Sequence, residues 1–454
     1  NATANGSGTT LIGLNGSFNF GPSDALSFLG TTATPDYRCS LNSSTGTNVL
    51  NGPINISGDG AVQFTSVSGE LHVFTPLINI PAFGGKLLLR GSGNGIFTSQ
   101  INSGGHVSKT DGGIWVISST GNSWTNTDVA GGTLRMGAAN VFPATTSLNI
   151  TAAGAVLDLN GFSQQVALFA GPGIVGNSST TADAVLSVNP PGNTSLFSGL
   201  IQNSVAGGTR KLGFTVSGGG SILSSNNTYS GDTTIASGAL LELFVNGSIS
   251  NSANITINDS GTLSVLARTD GTFTINPVQT LKANGLGNIS GNLSLNGTTE
   301  LHLTKSGATL TNDSLNVSGT ITYGGALKLD ISASPGLTTS DSFKLFNGGY
   351  AGSFAYITPV APDLNLAWDT STLATDGTLR IIAGTAPNPT NLVMQVSGPQ
   401  QAISWPAGFN WHLQSKTNSL LGPWFDVPAS FTTNQLFIPI NPANGSVFYR
   451  LIYP

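Results

Sequence analysis

The 454-residue chain is short of charge: only 8% of its residues are Asp, Glu, Lys or Arg, against about 25% in ordinary soluble domains. Its 15 Lys and Arg residues form no cluster beyond the pair Arg210 and Lys211, so the basic face that nucleic-acid binding requires is missing. The low charge does not indicate disorder, because disordered chains are poor in apolar residues and 39% of this chain is hydrophobic. We therefore expect a buried core beneath a surface of hydroxyl and amide groups.

Further absences limit the class of protein that the sequence can encode. Cys39 is the single cysteine, so no intrachain disulfide can form, and we expect it to be a small buried hydrophobic residue. No apolar run reaches the roughly 18–20 residues of a transmembrane helix, and no long stretch has the helical 3.6-residue period. The chain begins at Asn1 rather than Met, which we interpret as a processed, exported product located outside the cell or on its surface.

What the sequence does contain is short apolar–polar–apolar segments, and a turn residue follows almost every one. Examples are residues 148–150, 156–159, 255–257 and 327–329. The alternation places both apolar side chains of a segment on one face of a strand, and Gly, Asn, Ser and Asp are typical of turns. The pattern predicts an all-β protein.

Two passages about 105 residues apart repeat each other. The segment NSWT at 122–125 recurs as NTYS at 227–230, and 148–157 recurs at 255–264. Strands about 8 to 14 residues apart fit a sandwich or a solenoid, and the repetition favours the solenoid. In a parallel β-helix, each coil of about 20 residues would add one strand to each of two or three sheets, so that inward side chains stack into one core.

Parts of these repeats resemble the passenger repeat of autotransporter-like β-helix proteins: NTYSGDTTI at 227–235, SGAL at 237–240 and GAVLDLNGF at 154–162. The resemblance is clear from about residue 105 to residue 385. It implies a right-handed parallel β-helix that is exported and often adhesive. Autotransporters end in a translocator barrel of about a dozen strands, and this chain has no such region, so we do not expect it to translocate itself.

The composition changes after a Pro-rich segment, because three of the six Trp residues lie in the last 63 positions. This tail resembles the small C-terminal β-sandwich of secreted repeat proteins from environmental bacteria, and we expect an immunoglobulin-like or fibronectin-like sandwich. The predicted division is 1–104 as a β-rich region of first coils, 105–385 as the β-helix, 386–391 as the linker and 392–454 as the sandwich.

Sites for chemistry are sparse. The segment GPGIVG at 171–176 matches a dinucleotide-binding pattern but lacks the helix that must follow it. Glu300 and His302 share one strand face and could contribute to a metal or proton-transfer site, but a third partner is not evident, and we favour the interpretation that they are two polar residues on the solvent face. The three Glu and seventeen Asp residues are scattered, mostly in turns. We therefore expect no enzyme, no cofactor and no metal, with a polysaccharide lyase or hydrolase as the less favoured alternative.

The sequence favours an extracellular structural protein, such as a surface, biofilm-matrix or filament subunit that associates with itself head to tail through its ends. The alternative is an adhesin that binds cell-surface or matrix glycans. Trp405, Trp411 and Trp424 would then be the contact residues, because aromatic faces stack on sugar rings; otherwise they form the core of the sandwich.

Overall fold

The computed structural model divides the chain into two compact units. Unit 1 comprises Asn1–Thr298 with Ser314–Thr322, and unit 2 comprises Thr299–Asp313 with Tyr323–Pro454. In the part of the chain that the structure describes, no helix has the length and apolar character to cross a membrane. The predicted linker at 386–391 lies outside this part. The described residues are 2–6, 10–30, 38–57, 61–80, 85–192, 194–363, 365–384, 392–405, 411–441, 443 and 445–452.

Unit 1 begins with short strands that alternate between sheets as the chain coils. Most of their inward positions are apolar and most of their outward positions are polar, as the alternation predicts. The strands of this first half are β1 (Ala2–Gly6), β2 (Thr10–Asn15), β3 (Asn19–Phe20), β4 (Leu26–Gly30), β5 (Arg38–Thr45), β6 (Thr47–Leu50), β7 (Ile54–Ser57), β8 (Ala61–Ser66), β9 (Glu70–Val73), β10 (Leu77–Ile80), β11 (Lys86–Arg90), β12 (Asn94–Phe97), β13 (Gln100–Ser103), β14 (His106–Lys109), β15 (Ile114–Ile117), β16 (Asn126–Val129), β17 (Thr133–Met136), β18 (Ser147–Ile150), β19 (Val156–Asp158), β20 (Gln164–Val166), β21 (Leu168–Ala170), β22 (Ile174–Asn177), β23 (Ala184–Val188), β24 (Thr194–Phe197) and β25 (Leu200–Ser204).

The sheet order shows one strand per coil in each sheet. One sheet runs β2-β5-β8-β11-β14-β16-β18-β21, a second runs β3-β6-β9-β12-β15-β17-β19-β22-β25, and β1-β4-β7 and β10-β13 form two shorter ones. The pairing is parallel: Lys86 pairs with His106 and His106 with Asn126, so these coils take 20 residues each. This confirms the predicted parallel β-helix and its coil length.

The second half of unit 1 continues in the same manner. The strands β20, β23, β26, β28, β30 and β33 lie side by side in one sheet, and another runs β24-β27-β29-β31-β34-β38-β35-β32. Thr233 pairs in parallel with Phe214 of the preceding coil and Ile255 of the following one. The strands of this half are β26 (Leu212–Val216), β27 (Gly220–Leu223), β28 (Thr233–Ile235), β29 (Leu240–Leu243), β30 (Asn254–Asn258), β31 (Thr262–Ser264), β32 (Thr272–Ile275), β33 (Thr280–Asn284), β34 (Leu286–Ser290), β35 (Asn292–Leu295) and, after two strands of unit 2, β38 (Ser314–Tyr323).

Inward aromatic side chains from three of the parallel sheets meet in the core of unit 1. The centroids of Phe28 and Phe64 are 6.4 Å apart, those of Phe64 and Phe97 are 5.2 Å apart, and those of Phe97 and Trp115 are 5.7 Å apart. All four side chains are fully buried. Burying one large apolar side chain stabilises a fold by roughly 1.5–3 kcal/mol, so this aromatic cluster contributes to the stability of the coils.

The repeated Asn of the two similar passages bridges successive coils in the same way in both copies. The side-chain oxygen of Asn122 accepts the backbone N–H of Ile101 at 2.8 Å, and that of Asn227 accepts the N–H of Ile201 at 2.9 Å. Each amide group donates to a backbone carbonyl of the following coil, at 2.8 Å and 3.2 Å respectively. The Asn is therefore repeated because it makes the same bonds at both corners, where buried backbone groups must be paired.

The aromatic residue of each repeat also has a polar partner within the core. The indole N–H of Trp124 donates to the Thr127 hydroxyl at 2.8 Å, and the Tyr229 hydroxyl lies 2.6 Å from that of Thr233. Thr233 in turn donates to Ser252 of the next coil at 2.9 Å. Burial raises the pKa of Tyr229 far above its ordinary value, despite the bond to Thr233. The ring therefore stays neutral and ties neighbouring coils together.

Lys109 places a charge inside unit 1. Its side chain is fully buried, and the ammonium donates to the backbone carbonyls of Thr110, Asp111 and Gly131 at 2.6, 2.8 and 3.0 Å. Burial lowers the pKa of Lys109 from 10.5 to about 8, and the nearby Asp111 carboxylate opposes this shift. Three backbone carbonyls thus accept hydrogen bonds from the single ammonium group of Lys109.

Unit 2 combines short pairings with a small sandwich. β36 and β37 form an antiparallel hairpin, β39 pairs in parallel with β42, and β40, β44 and β43 form an antiparallel sheet. The last six strands form two antiparallel sheets, β45-β46-β49 and β48-β47-β50, around Ile403, Trp405 and Leu413, which confirms the predicted sandwich. The elements are β36 (Thr298–Ser306), β37 (Thr309–Asn312), β39 (Ala326–Ser334), β40 (Ser342–Lys344), β41 (Phe346–Gly352), β42 (Tyr356–Thr358), β43 (Leu366–Asp369), α1 (Leu373–Asp376), β44 (Thr378–Ala383), β45 (Val393–Ser397), β46 (Gln400–Ser404), β47 (His412–Thr417), β48 (Phe425–Asp426), a 3-10 helix (Pro428–Phe431), β49 (Gln435–Pro439) and β50 (Val447–Ile452).

We predict that Asn227→Ala lowers the free energy of unfolding by about 2 kcal/mol, because it leaves the Ile201 N–H without its acceptor and removes one of the two N–H donors to each of the Ser225 and Ser248 carbonyls. Urea unfolding followed by circular dichroism measures the change. The matched control is Asn251→Ala at an exposed turn position, for which we expect less than about 0.5 kcal/mol. Equal stability of the two variants would contradict the role of the corner amide.

We predict that Lys109 makes stability depend on pH. The pKa of Lys109 is about 8 in the folded protein, against an ordinary value of 10.5. Between these two pH values, Lys109 is protonated in the unfolded chain but largely deprotonated in the folded protein. The stability of the wild type therefore rises with pH over this range. Lys109→Met removes this contribution. The free energy of unfolding of the wild type minus that of the variant should therefore increase from pH 8 to pH 10.5. A free-energy difference that stays constant from pH 8 to pH 10.5 would contradict the pH dependence that we assign to Lys109.

Candidate functional site

The structure separates the three tryptophans of the tail. Trp405 is 5% exposed in the core of the sandwich, and its indole N–H donates to the backbone carbonyl of Trp411 at 3.0 Å. Trp411 is half-buried and packs against the same core. Trp424 is half-buried elsewhere, with the Arg450 guanidinium 4.5 Å from its ring centroid. Of the three tryptophans, Trp424 is the one whose ring lies outside the core, beside charged and polar groups.

Arg450 belongs to the outer face of the sheet β48-β47-β50. Its neighbours in β50, Tyr449 and Leu451, pack on the core, so Arg450 points to the opposite side. Gln414 of β47 pairs with Arg450 on one side and with Asp426 on the other. Paired residues of antiparallel strands point the same way, so these three side chains form a row across the sheet. We call this surface, with Trp424, His412 and Phe431, the outer tail face.

The polar groups of the row are joined by hydrogen bonds. Nε and Nη2 of Arg450 donate to Oε1 of Gln414 at 2.9 and 2.7 Å, and Nε2 of Gln414 donates to Oδ1 of Asp426 at 2.8 Å. Nε2 of His412 lies 3.1 Å from the same carboxylate oxygen. Each planar side chain thus holds the orientation of the next, and the face presents fixed donors and acceptors.

Aromatic rings lie at both ends of this row. Trp424 lies against Arg450 at one end, and Phe431 stacks on His412 at the other, with centroids 4.7 Å apart and planes at 29°. Phe431 is 59% exposed, whereas His412 is 8% exposed. Nδ1 of His412 has no hydrogen-bond partner among the described residues. Apolar rings beside oriented polar groups suit a ligand that is itself both apolar and rich in hydroxyl groups.

A second cluster of charged residues lies on β36 and β39 of unit 2 and includes the predicted pair Glu300 and His302. Nδ1 of His302 is 2.5 Å from Oδ2 of Asp313, and Nε2 is 3.5 Å from Oδ2 of Asp330. Lys328 donates to Glu300 at 3.0 Å. In the described part of the chain, no group of three or more His, Cys, Asp or Glu residues could hold a metal ion. The carboxylates instead serve as partners for His302 and Lys328.

Sequence reasoning missed the residues that complete both clusters. Asp313 follows His302 by eleven positions, and the β36–β37 hairpin brings it back. Gln414 and Arg450 are 36 positions apart, and only the register of β47 with β50 joins them. One local signal was available in β47, where the polar residues His412, Gln414 and Lys416 alternate with the core residue Leu413.

The fold places the chain among parallel β-helix proteins. No protein-family model matches the chain. Over 147 residues, which are 32% of the chain, it is 31% identical to the adhesin BmaC autotransporter of Brucella suis biovar 1 (strain 1330). The matched stretch covers 4% of that protein, so this chain is similar to only a small part of its length.

Proposed function

We propose that the chain is an extracellular surface protein of adhesin type, and that it binds glycans through the outer tail face. The similarity of a third of the chain to an autotransporter adhesin supports the class and the surface or secreted location. The row of Gln414, Asp426 and Arg450 between Trp424 and Phe431 is the observation that carries the glycan contact. Unit 1 then has a structural role.

The chemistry of the face matches a pyranose ring. The exposed Phe431 ring offers an apolar surface to the C–H groups of a sugar, Asp426 can accept from hydroxyl groups, and Arg450 can donate to ring or hydroxyl oxygens. Lys416 and Arg450 outnumber Asp426 in residues 392–454, so the sandwich is slightly positive and tolerates neutral or acidic sugars. One such face binds weakly, and many copies on one surface would raise the overall affinity by multivalency.

The proposal includes no catalytic role. His302 sits beside the carboxylates of Asp313 and Asp330, and Lys328 donates to Glu300. Release of reducing ends or unsaturated products from a polysaccharide panel would contradict this part of the proposal.

We predict that Trp424→Ala and Asp426→Ala each weaken glycan binding about tenfold, because an aromatic contact or a charge-assisted hydrogen bond contributes on the order of 1.4 kcal/mol. A glycan array with the full chain identifies the ligand, and titration measures each variant. The matched control is Val396→Ala, which truncates a 66% exposed apolar residue on the other sheet. An array without hits, or equal loss in the control, would rule out this face as the glycan contact.

A second candidate function is end-to-end assembly into filaments. Among the described strands, β2 and β3 each occupy the edge of their sheet, and Leu11 and Phe18 beside these edges are 58% and 45% exposed. An open edge with exposed apolar side chains accepts a further strand, and a head-to-tail contact that does not close produces a filament.

We predict that this assembly, if it occurs, depends on the edge strand β2. Leu11→Lys places a charge on the edge and should abolish fibres seen by negative-stain microscopy across a concentration series. Leu266→Lys, at a 67% exposed position away from that edge, is the control and should leave the fibres intact. Wild-type protein that stays monodisperse at every concentration would exclude filament assembly.

A further inference from the structure

The loop between β47 and β48, residues 418–424, carries two large apolar side chains that face solvent. Leu420 is 61% exposed and Leu421 is 86% exposed. Phe425, the first residue of β48, is 65% exposed. Single exposed apolar residues are common on protein surfaces, but three within six positions of the chain indicate a contact surface. We call these three residues the apolar tip.

Hydrogen bonds hold the backbone of this loop in place. The Asn418 N–H donates to the Ser446 carbonyl at 2.8 Å, and the Leu421 N–H donates to the Ser419 hydroxyl at 3.1 Å. The Lys416 ammonium donates to the Leu421 carbonyl. Because the loop is already ordered, burying its apolar side chains against a partner costs little conformational entropy.

Two basic residues accompany the apolar tip. Lys416 is 8% exposed and lies against the loop backbone, whereas Arg450 is exposed and its guanidinium lies 4.5 Å from the ring centroid of Trp424. Lys416 bonds a backbone carbonyl and Arg450 bonds the neutral amide of Gln414, so neither of these contacts cancels a positive charge. The tip therefore lies in a region of positive potential.

The sandwich is also the positively charged part of an acidic chain. Residues 392–454 contain Lys416, Arg450 and one acidic residue, Asp426, which gives them a net charge of +1. Residues 1–391 carry the remaining net charge of −6, since the whole chain carries −5. An anionic surface therefore attracts the sandwich and repels the rest of the chain.

We propose that the apolar tip inserts into the surface of an anionic lipid bilayer, with Trp424 at the level of the headgroups and Arg450 toward the phosphates. Leucine and phenylalanine side chains gain free energy when they leave water for acyl chains. Tryptophan is enriched at the interface between membrane and water, and arginine binds phosphate groups. Anionic headgroups attract both cations of the sandwich.

The shape of the tip favours a bilayer over a folded protein as its partner. A projecting loop requires a complementary groove on a protein, whereas a fluid lipid surface adapts to it. The contact does not rest on the proposed glycan binding, although it shares Trp424 and Arg450 with the outer tail face.

Flotation of the full chain with lipid vesicles tests the contact. Vesicles of phosphatidylcholine and phosphatidylserine carry no sugar, so glycan binding does not contribute to the result. We expect the chain to float with them, and to bind at least about tenfold more weakly to phosphatidylcholine alone, because the attraction to anionic headgroups is lost. Raising the salt concentration should weaken binding to the anionic vesicles.

The double variant Leu420→Ser with Leu421→Ser should reduce binding to the anionic vesicles at least about tenfold, because it removes the inserted side chains. Its melting temperature is recorded to show that it folds. The matched control is Leu266→Ser, which removes a 67% exposed leucine of unit 1 and should bind as the wild type does.

A fluorophore sensitive to polarity reports the insertion directly. It is attached to the variant Ser419→Cys, since the natural Cys39 is buried. Its emission should move to shorter wavelength with the anionic vesicles, and the same label on Asn251→Cys, at an exposed turn of unit 1, should not respond.

The proposal is overturned if the wild type does not float with the anionic vesicles, if the folded double variant floats equally well, or if the label at position 419 stays in water. Failure on a glycan array, with vesicle binding retained, would contradict the proposed function and leave the lipid contact supported.

Discussion

The parallel register between successive coils determines where every side chain of unit 1 lies. Val107 pairs with Thr127 and Thr127 with Leu148, so a given position of one coil stands directly beside the same position of the next. Inward positions then form continuous columns, and a shift of one residue would expose them all. Asn122 and Asn227 fix this register at the corners, because their amides bond backbone groups of the coils before and after.

The same register explains why the outer faces of the coils carry few charged residues. On one outer face, Ser187, Thr215, Thr234 and Thr256 stand in a single column, and like charges in such a column would repel one another at the spacing of one strand. Several charged residues of the coils have structural partners, such as Arg135, which donates to the buried Asp158 at 2.6 Å. The coils therefore offer few groups for recognition, and the clusters of polar and charged groups that we assign to binding lie in unit 2.

How far the sequence predicts this molecule depends on how local each feature is. Alternating apolar residues predicted the strands, and the segment 148–150 lies in β18 (Ser147–Ile150) as expected, because the pattern and the strand occupy the same few positions. The repetition of NSWT as NTYS predicted coils. In the structure, the Asn of each copy accepts a backbone N–H of the preceding coil. The row from Arg450 through Gln414 to Asp426 depends on strand pairings between distant segments, which no local pattern encodes.

The central claim is a division of labour in which the coils are structural and the outer tail face makes the contact. Hydrogen exchange followed by mass spectrometry, with and without a glycan that the full chain binds, tests it most directly. The account predicts slower exchange in peptides that contain His412, Asp426 and Arg450, and unchanged exchange in the coils of residues 105–298. Protection in the coils, with none in the sandwich, would contradict it.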